Sequence, residues 1–283
     1  MIRIGTRGSA LALWQANEVA RLLGRPSEIV ILKTTGDKRQ DVSLAAIGGK
    51  GLWVKELEEA LLRGEIDVAV HSLKDVPSIT PQEFALAAFL ERADPRDAWV
   101  QVDQKSVTSL PENAKIATSA PRRRAQLRAR WPHLQIEEIR GNVDTRLRKL
   151  RDGLYDGGVL AAAGLTRLGL AGVITSTFSI DEMLPAAGQG IIAIETLRGN
   201  EGLVAHVNHE PSAAAARCER GVLQKFGTLL DCYSPIAVHA TLGMTTVTIR
   251  AFYERPDGTV ARAEKSGTRE DDVIQAVYEG LNS

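Results

Sequence analysis

Cationic side chains recur in this sequence where a predicted strand ends or a predicted helix begins. A helix N-terminus offers free N–H groups and partial positive charge, and a neighbouring arginine adds paired hydrogen bonds to a carboxylate. We therefore predict a cationic cleft between α/β domains that holds a substrate with several carboxylates. The residues concerned are Arg7 before Ser9, Lys74, Arg122, Arg123, Arg140 with Gly141, and Arg146.

Asp75 is the carboxylate that stands among these cations, directly after Lys74 at the end of a predicted strand. An acid in this position can hold or transiently stabilise a positively charged ring nitrogen. The alternative is a capping role in a turn. A single arginine can equally be a solvated surface residue, and Arg122-Arg123-Arg124 could form a nucleic-acid patch, although it has no interleaved aromatic residues.

The cysteines and histidines show no metal-binding spacing, and no metal is predicted. Cys218 and Cys232 have no CxxC partner, so a disulfide framework is not indicated either. Cys218 lies in a predicted helix, which is typical of a small buried side chain. Cys232 lies in a predicted loop, where a reachable thiol could be a covalent attachment point. His71 is expected on a strand.

Length and composition favour a folded protein without a strong net electrostatic field. At 283 residues and 44% hydrophobic side chains, the chain can bury the cores of two or three domains. Lys plus Arg and Asp plus Glu each total 35, so bulk affinity for nucleic acid or membranes is not predicted. Neither a leader-like start nor a run of about 18 apolar residues is present, so we expect a cytoplasmic protein.

Alternating strands and helices predict an α/β fold with mainly parallel sheets. The first domain is expected at residues 1–92, and the charged, proline-containing stretch 91–97 favours a crossing to the next domain. The first helix is expected to turn one face inward, formed by Leu11, Trp14, Val19 and Leu22. The predicted strands of this domain are Arg3-Ile4, 28–32 and 66–70.

Two further domains are expected along the chain. Residues 96–186 repeat the alternation, with Pro121 opening a helix, and the segment 190–209 is expected to return to the first domain as a strand and its continuation. From Pro211 the pattern changes to a helix, two or three strands and a final helix capped by Thr268. We predict a small α+β third domain at residues 211–283.

A series of segments carries a more specific signal. They are 3–15 (RIGTRGSALALWQ), 48–57 (GGKGLWVKEL), 71–77 (HSLKDVP), 91–97, 118–123, 140–143 (RGNV), 163–165 and 188–190 (GQG). In this order, and over nearly the whole chain, they resemble the porphobilinogen deaminases, also called hydroxymethylbilane synthases. A single segment would be weak evidence, whereas the ordered series is highly specific.

The resemblance implies a transferase of tetrapyrrole biosynthesis. Such an enzyme joins four porphobilinogen molecules head to tail, with release of ammonia, into the linear hydroxymethylbilane. The resemblance also implies a dipyrromethane cofactor, itself two joined porphobilinogen units, held by a thioether to Cys232. The implied fold is two periplasmic-binding-protein-like domains and a small α+β domain. Porphobilinogen is then the small-molecule partner of a monomer that binds neither nucleic acid nor membrane.

The family's functional residues carry over by position. Asp75 would be the catalytic residue, which hydrogen-bonds pyrrole N–H groups and stabilises the positive charge that develops as ammonia leaves. The cofactor would be bound by Cys232, Ser72, Lys74, Asp75, Thr118, Ser119, Arg122, Arg123, Arg140 and Gly141. The substrate would be bound by Arg7, Ser9, Arg140, Arg146, Arg167 and Gln189.

The sequence departs from the family pattern around the cofactor cysteine. Leu230-Asp231 precede Cys232 where the family has a Gly-Gly pair, and Tyr233-Ser234-Pro235 follow it where the family has Gln-Val-Pro. Asp231 should disfavour the thiolate, and Ala46 stands where a basic loop residue is common. The competing hypothesis is a non-catalytic anion-binding module, or a degenerate homologue that binds tetrapyrrole precursors without turnover.

Overall fold

The structure, a computed structural model, describes residues 1–33, 54–230 and 234–283. The chain divides into two compact units, Met1–Ala93 with Gly190–Cys232, and Asp94–Gln189 with Tyr233–Ser283. The division into three domains stays a prediction. Ala46 and Cys232 lie outside the described residues. Strands and helices are numbered along the chain.

The first unit is built on a five-stranded sheet in the order β2-β1-β3-β10-β4. Strand β1 pairs in parallel with β2 and β3, whereas β10 runs antiparallel to both β3 and β4. The segment after residue 190 therefore returns to the first sheet as predicted. The strands are β1 Ile2–Arg7, β2 Ser27–Leu32, β3 Val68–Ser72, β4 Phe84–Phe89 and β10 Ile192–Leu197.

Three helices of this unit are α1 Ala10–Leu23, α2 Lys55–Leu62 and α6 Glu210–Phe226. Helix α1 begins at Ser9, whose side chain accepts a hydrogen bond from the Ala12 amide. The predicted inward face of α1 is wrong in part, because Trp14 and Leu22 are 37% and 38% exposed. Small side chains let this helix approach the sheet closely, so its buried residues are Ala12, Gln15, Ala16, Val19 and Leu23.

The second unit contains another five-stranded sheet, in the order β7-β6-β8-β5-β9. Strand β6 pairs in parallel with β7 and β8, and β5 pairs antiparallel with β8 and β9. The strands are β5 Asp97–Val100, β6 Lys115–Ala117, β7 Gln135–Glu137, β8 Gly157–Ala161 and β9 Ser176–Thr177. The helices are α3 Pro121–Arg130, α4 Val143–Arg151 and α5 Ala162–Arg167.

The last part of the chain forms a three-stranded antiparallel sheet with one helix packed on it. The elements are β11 Ile236–Leu242, β12 Val247–Glu254, β13 Val260–Gly267 and α7 Glu270–Asn282. The predicted cap at Thr268 is wrong, because α7 starts later and Arg269 occupies the N-cap position. Three acidic residues, 270–272, fill its first turn, where they complement the positive end of the helix dipole.

The α/β fold class with a small C-terminal α+β part is confirmed. Each five-stranded sheet has two parallel and two antiparallel pairings, so the sheets are mixed and the expected parallel arrangement holds for one half of each. The reason is that β10 and β5 neither directly follow nor directly precede their sheet neighbours in the chain, so no strand–helix–strand crossover makes them parallel. None of the described helices is long and apolar enough to span a membrane.

Candidate active site

A pocket opens in the first unit where β1 and β3 end. Because these strands are parallel neighbours, the residues that follow them meet at one edge of the sheet. Arg7 is the last residue of β1, Ser72 is the last of β3, and Asp75 lies in the single 3₁₀ turn that follows. The pocket is lined by Arg7, Ser9, Leu11, Ala12, Gln15, Val54, Val70, His71, Ser72 and Asp75.

Two hydroxyl groups of this pocket are held in place by neighbours on α1. The Ser72 hydroxyl accepts a hydrogen bond of 2.7 Å from the side-chain amide of Gln15. The Ser9 hydroxyl accepts from the backbone N–H of Ala12 at 3.3 Å. Gln15 was not among the predicted site residues, because the inward face of α1 was assigned to its larger apolar side chains.

Asp75 is exposed, but the backbone around it is firmly anchored. Leu73 is buried and its N–H donates to the Ile191 carbonyl at 3.0 Å, while the Val76 N–H closes the turn onto the Leu73 carbonyl at 3.1 Å. The turn therefore presents a carboxylate to solvent from a fixed position, which suits a group that must meet a ligand. The backbone bonds close the turn without the Asp75 side chain, and the ligand-binding role of Asp75 stays a prediction.

Arg220 of α6 secures the segment after Asp75. Its guanidinium group donates to the carbonyls of Val76 at 3.2 Å, Pro77 at 2.7 Å and Ser78 at 3.0 Å. Burial lowers the pKa of Arg220 to about 10, so the side chain stays cationic at neutral pH. Charged hydrogen bonds to three successive carbonyls leave this segment little freedom.

A buried acid–imidazole pair lies beside the pocket. His71 Nε2 and Glu195 Oε2 are 2.9 Å apart, and the two side chains are 4% and 0% exposed. Glu58 on α2 interacts electrostatically with both Glu195 and His71. Burial, together with repulsion from Glu195, raises the pKa of Glu58 to about 7, against an opposing effect of His71. The sequence indicated neither Glu195 nor Glu58.

In the second unit, two arginines at the start of α3 form a buried charge cluster. Arg122 Nη1 lies 2.6 Å from Asp97 Oδ2, and Arg123 Nη2 lies 2.8 Å from Asp97 Oδ1. The Gln189 side chain accepts from Arg122 at 3.0 Å and donates to Asp97 at 2.8 Å. Burial alone would raise the pKa of Asp97, but the charges and hydrogen bonds of Arg122 and Arg123 outweigh it and hold that pKa well below its ordinary value.

These contacts give Arg122, Arg123 and Gln189 a use that the sequence did not indicate. The arginine side chains are 6% and 5% exposed, and they also donate to the carbonyls of Leu184 and Val159. The structure thus places these residues inside the unit, whereas the sequence predicted cations that are exposed on its surface. Their predicted cofactor and substrate contacts stay predictions.

The remaining predicted residues of this unit lie just after β6, around the start of α4 and at the end of α5. Thr118 is buried and its hydroxyl accepts from the Ala120 N–H at 3.3 Å, and Ser119 follows it. At Gly141 the backbone φ is +106°, and a Cβ atom would come within 2.7 Å of the Thr145 side chain, so only glycine fits. Arg140 pairs with Glu138, Arg146 donates to the Gly141 carbonyl at 2.7 Å, and Arg167 is the last residue of α5.

A family comparison relates these sites to known proteins. The family model described as "Porphobilinogen deaminase, dipyromethane cofactor binding domain" matches residues 2–205, which include both sets of side chains described above. The chain belongs to the porphobilinogen deaminase family. Members of this family are transferases, as the resemblance implied.

Curated porphobilinogen deaminases are similar along almost the entire chain. The protein from Bordetella parapertussis is 46% identical over 287 residues, covering 98% of this chain and 90% of the relative. The protein from Thiobacillus denitrificans is 45% identical and covers 99% and 94%. Among solved structures, a putative methionine-binding lipoprotein from Bacillus subtilis matches 74% of this chain and 90% of its own, with 13% identity and a TM-score of 0.44.

The first-unit pocket has the side chains that a dipyrromethane group of this deaminase family requires. Such a group carries carboxylates and pyrrole N–H donors. Arg7 can pair with a carboxylate, the hydroxyls of Ser9 and Ser72 can donate to it, and the exposed Asp75 can accept from N–H groups. Apolar side chains in the same pocket can contact the ring carbons. The residues present therefore fit this group and the chemically similar substrate.

Proposed function

We propose that this chain converts porphobilinogen into hydroxymethylbilane, joining four porphobilinogen molecules head to tail with release of ammonia. The observation that carries the proposal is the pocket at the ends of β1 and β3. It combines a cation, Arg7, two hydroxyl groups and the exposed carboxylate of Asp75. A substrate with two carboxylates and an N–H group per ring needs this combination. The match to the deaminase family over most of the chain supports the same reaction.

In this proposal Asp75 is the catalytic residue. Its carboxylate accepts hydrogen bonds from pyrrole N–H groups and stabilises the positive charge that develops on the ring as ammonia leaves. The anchored turn and the Arg220 contacts keep it in one position, so little reorganisation is needed during the reaction. Arg7 and Ser9 bind substrate carboxylates, and Ser72 and Lys74 bind those of the cofactor.

We further propose that the cofactor is attached through a thioether to Cys232. Once bound, dipyrromethane supplies the primer to which porphobilinogen units are added. The other cysteine, Cys218, is fully buried in α6, so its thiol is not accessible for attachment. Thr118, Ser119, Arg140 and Gly141 would bind cofactor carboxylates in the second unit, and Arg146 and Arg167 would bind those of the substrate.

Three further binding residues of the second unit, Arg122, Arg123 and Gln189, are also partners of the buried Asp97. We propose that Arg122 and Arg123 bind cofactor carboxylates and that Gln189 binds the substrate, while their contacts with Asp97 hold them in position. A guanidinium group has five N–H donors, so pairing with Asp97 leaves donors for a ligand.

The remaining features of the proposal concern the protein's surroundings. Porphobilinogen is the small-molecule partner, and the chain acts as a cytoplasmic monomer without nucleic-acid or membrane partners. The equal totals of 35 basic and 35 acidic residues support the absence of nucleic-acid and membrane partners, because no net positive field draws the chain to polyanions.

The test is a stoichiometry measurement on the purified protein. We expect one ammonia released for each porphobilinogen consumed and one hydroxymethylbilane for every four, with unchanged ratios in a Cys218→Ser control. Binding of porphobilinogen without ammonia release would contradict the proposal and support the binding-only homologue.

A further inference from the structure

His71 and Glu195 lie on adjacent strands in a position that lets their side chains meet. In the antiparallel pairing of β3 with β10, His71 is opposite Ala193 and Glu195 is opposite Ala69. These four side chains share one face of the sheet, so His71 and Glu195 are diagonal neighbours. The two alanines are fully buried and too small to separate them. The result is the 2.9 Å contact between His71 Nε2 and Glu195 Oε2.

The contact relates the tautomer of His71 to the state of Glu195. An ionised carboxylate only accepts hydrogen bonds, and with Glu195 in that form Nε2 of His71 is the N–H donor. In the neutral imidazole the lone pair then belongs to Nδ1. His71 also lines the pocket that contains Asp75. A carboxylate that orients an imidazole beside a reacting group is the arrangement by which histidines exchange protons in many active sites.

The second oxygen of Glu195 indicates that the pair is more than a structural contact. Glu195 is fully buried, and in the described part of the chain Oε1 has no hydrogen-bond partner. Leaving a buried acceptor unsatisfied destabilises a fold. Native structures rarely do so without a reason such as a catalytic role. Two apolar residues would fill this position without that penalty.

Several charged groups face the pair. Glu58 of α2 interacts with both members, and Glu83 interacts with Glu58. Arg220 of α6 interacts with Glu195, and Arg7 and Asp75 line the same pocket as His71. Any proton taken up here is therefore shared among interacting groups, and a pH profile reports the cluster.

We propose that His71 and Glu195 form a dyad that carries protons for the reaction in the Asp75 pocket, an inference that rests on the proposed function. At each addition the carbon–nitrogen bond breaks with its electron pair on nitrogen, which takes a proton and leaves as ammonia. The pyrrole carbon that forms the new carbon–carbon bond loses its hydrogen as a proton. Nδ1 of His71 takes up that proton and the dyad supplies the one that ammonia requires, so each cycle balances.

The first test needs no turnover. We expect ¹⁵N-histidine NMR of the purified chain to show the Nε2–H tautomer for the signal that disappears in His71→Gln. In Glu195→Gln the amide can donate as well as accept, so both tautomers should appear. The matched control is Glu219→Gln, which alters another fully buried carboxylate of this unit, paired with Arg92. An Nδ1–H tautomer in the unmodified chain, or unchanged populations in Glu195→Gln, would overturn the proposal.

The second test uses turnover. Positioned acid–base groups typically contribute about 10²–10⁴-fold in rate. We expect Glu195→Gln and His71→Gln each to lower the rate constant of ammonia release about 100-fold, with little change in KM and a displaced pH profile. The double variant should be no slower than the slower single one. Additive losses with an unchanged profile would refute the dyad. If the unmodified chain released no ammonia, the proposed function would fail while the tautomer result would stand.

Discussion

Asp75 and Asp97 are both carboxylates placed among basic residues at the end of a strand, yet the structure uses them in opposite ways. Asp75 is exposed at the edge of a pocket, on a turn held by backbone hydrogen bonds. Asp97 is fully buried and receives hydrogen bonds from Arg122, Arg123 and Gln189. Sequence chemistry alone does not separate them. Burial and the number of partners do, because a carboxylate whose acceptors are all occupied cannot meet a ligand.

The same contrast predicts that loss of Asp97 lowers the stability of the fold, whereas loss of Asp75 lowers activity. Removing one member of a buried charge cluster leaves the others uncompensated, which is strongly destabilising. Removing an exposed carboxylate on an anchored turn changes stability little. The comparison therefore predicts that variants of the two aspartates fail in different assays.

The largest expected effect is on the activity of Asp75→Ala. We expect ammonia release to fall by about 10³-fold, since loss of one preorganised electrostatic group costs about 10²–10³-fold and the proposed role of Asp75 is needed in every addition. The free energy of unfolding in urea should change by less than about 0.5 kcal/mol. A variant that keeps unmodified rates would remove Asp75 from its role, and one that unfolds would erase the contrast with Asp97.

Asp97→Asn should instead lose stability in urea denaturation. It leaves Arg122 and Arg123 with their charges buried and uncompensated, and we expect a loss of about 3–5 kcal/mol in urea denaturation. The control is Asp94→Asn, which breaks an ion pair with Arg96 whose members are 33% and 45% exposed, and which should cost less than about 1 kcal/mol. Equal losses in both variants would contradict the structural role of the cluster.

The pH dependence of the unfolding free energy should show the contribution of the same Asp97 cluster. The folded pKa of Asp97 lies below its ordinary value of 3.8, so its contribution to stability is fully present above pH 3.8. That contribution is lost as the pH falls further, through the folded pKa. The difference in unfolding free energy between the unmodified chain and Asp97→Asn should therefore shrink in strong acid. A difference that stays constant in acid would show that the charge of Asp97 is not what stabilises the unit.

A smaller effect of opposite sign is expected at Glu58. Its pKa is raised from 4.5 to about 7, so its contribution to stability is complete below pH 4.5 and is lost as the pH rises through about 7. Glu58→Gln mimics the protonated form, so it should stabilise the chain above pH 7 by about 1–2 kcal/mol, after allowance for solvent screening. Urea denaturation at pH 5 and pH 8 checks this; equal effects at both values would refute it.

Much of the fold could be predicted because local patterns carry it. The polar residues after β1 and β3 indicated one edge of a sheet, and the return of the chain after residue 190 was confirmed. The buried face of α1 was missed because alanines, not the larger side chains, contact the sheet. Strand β4 was not predicted, since FALAAF is apolar without alternation and resembles a buried helix segment.

The site was predicted only where its residues are neighbours in the sequence. Arg7, Ser9, Ser72 and Asp75 came from short motifs, and the structure brings them to one pocket. The pairing of His71 with Glu195 joins residues 124 positions apart, and that of Asp97 with Gln189 joins residues 92 apart. Such contacts depend on strand order, which a single sequence does not specify.

The most direct test of the whole account is the intact mass of the freshly purified protein before and after incubation with porphobilinogen. We expect a chain heavier by two porphobilinogen units less two ammonia molecules, with the added mass on the peptide that contains Cys232. Incubation should then add a ladder of single pyrrole units. A bare chain whose mass never increases would contradict tethered polymerisation and leave only a protein that binds anionic ligands.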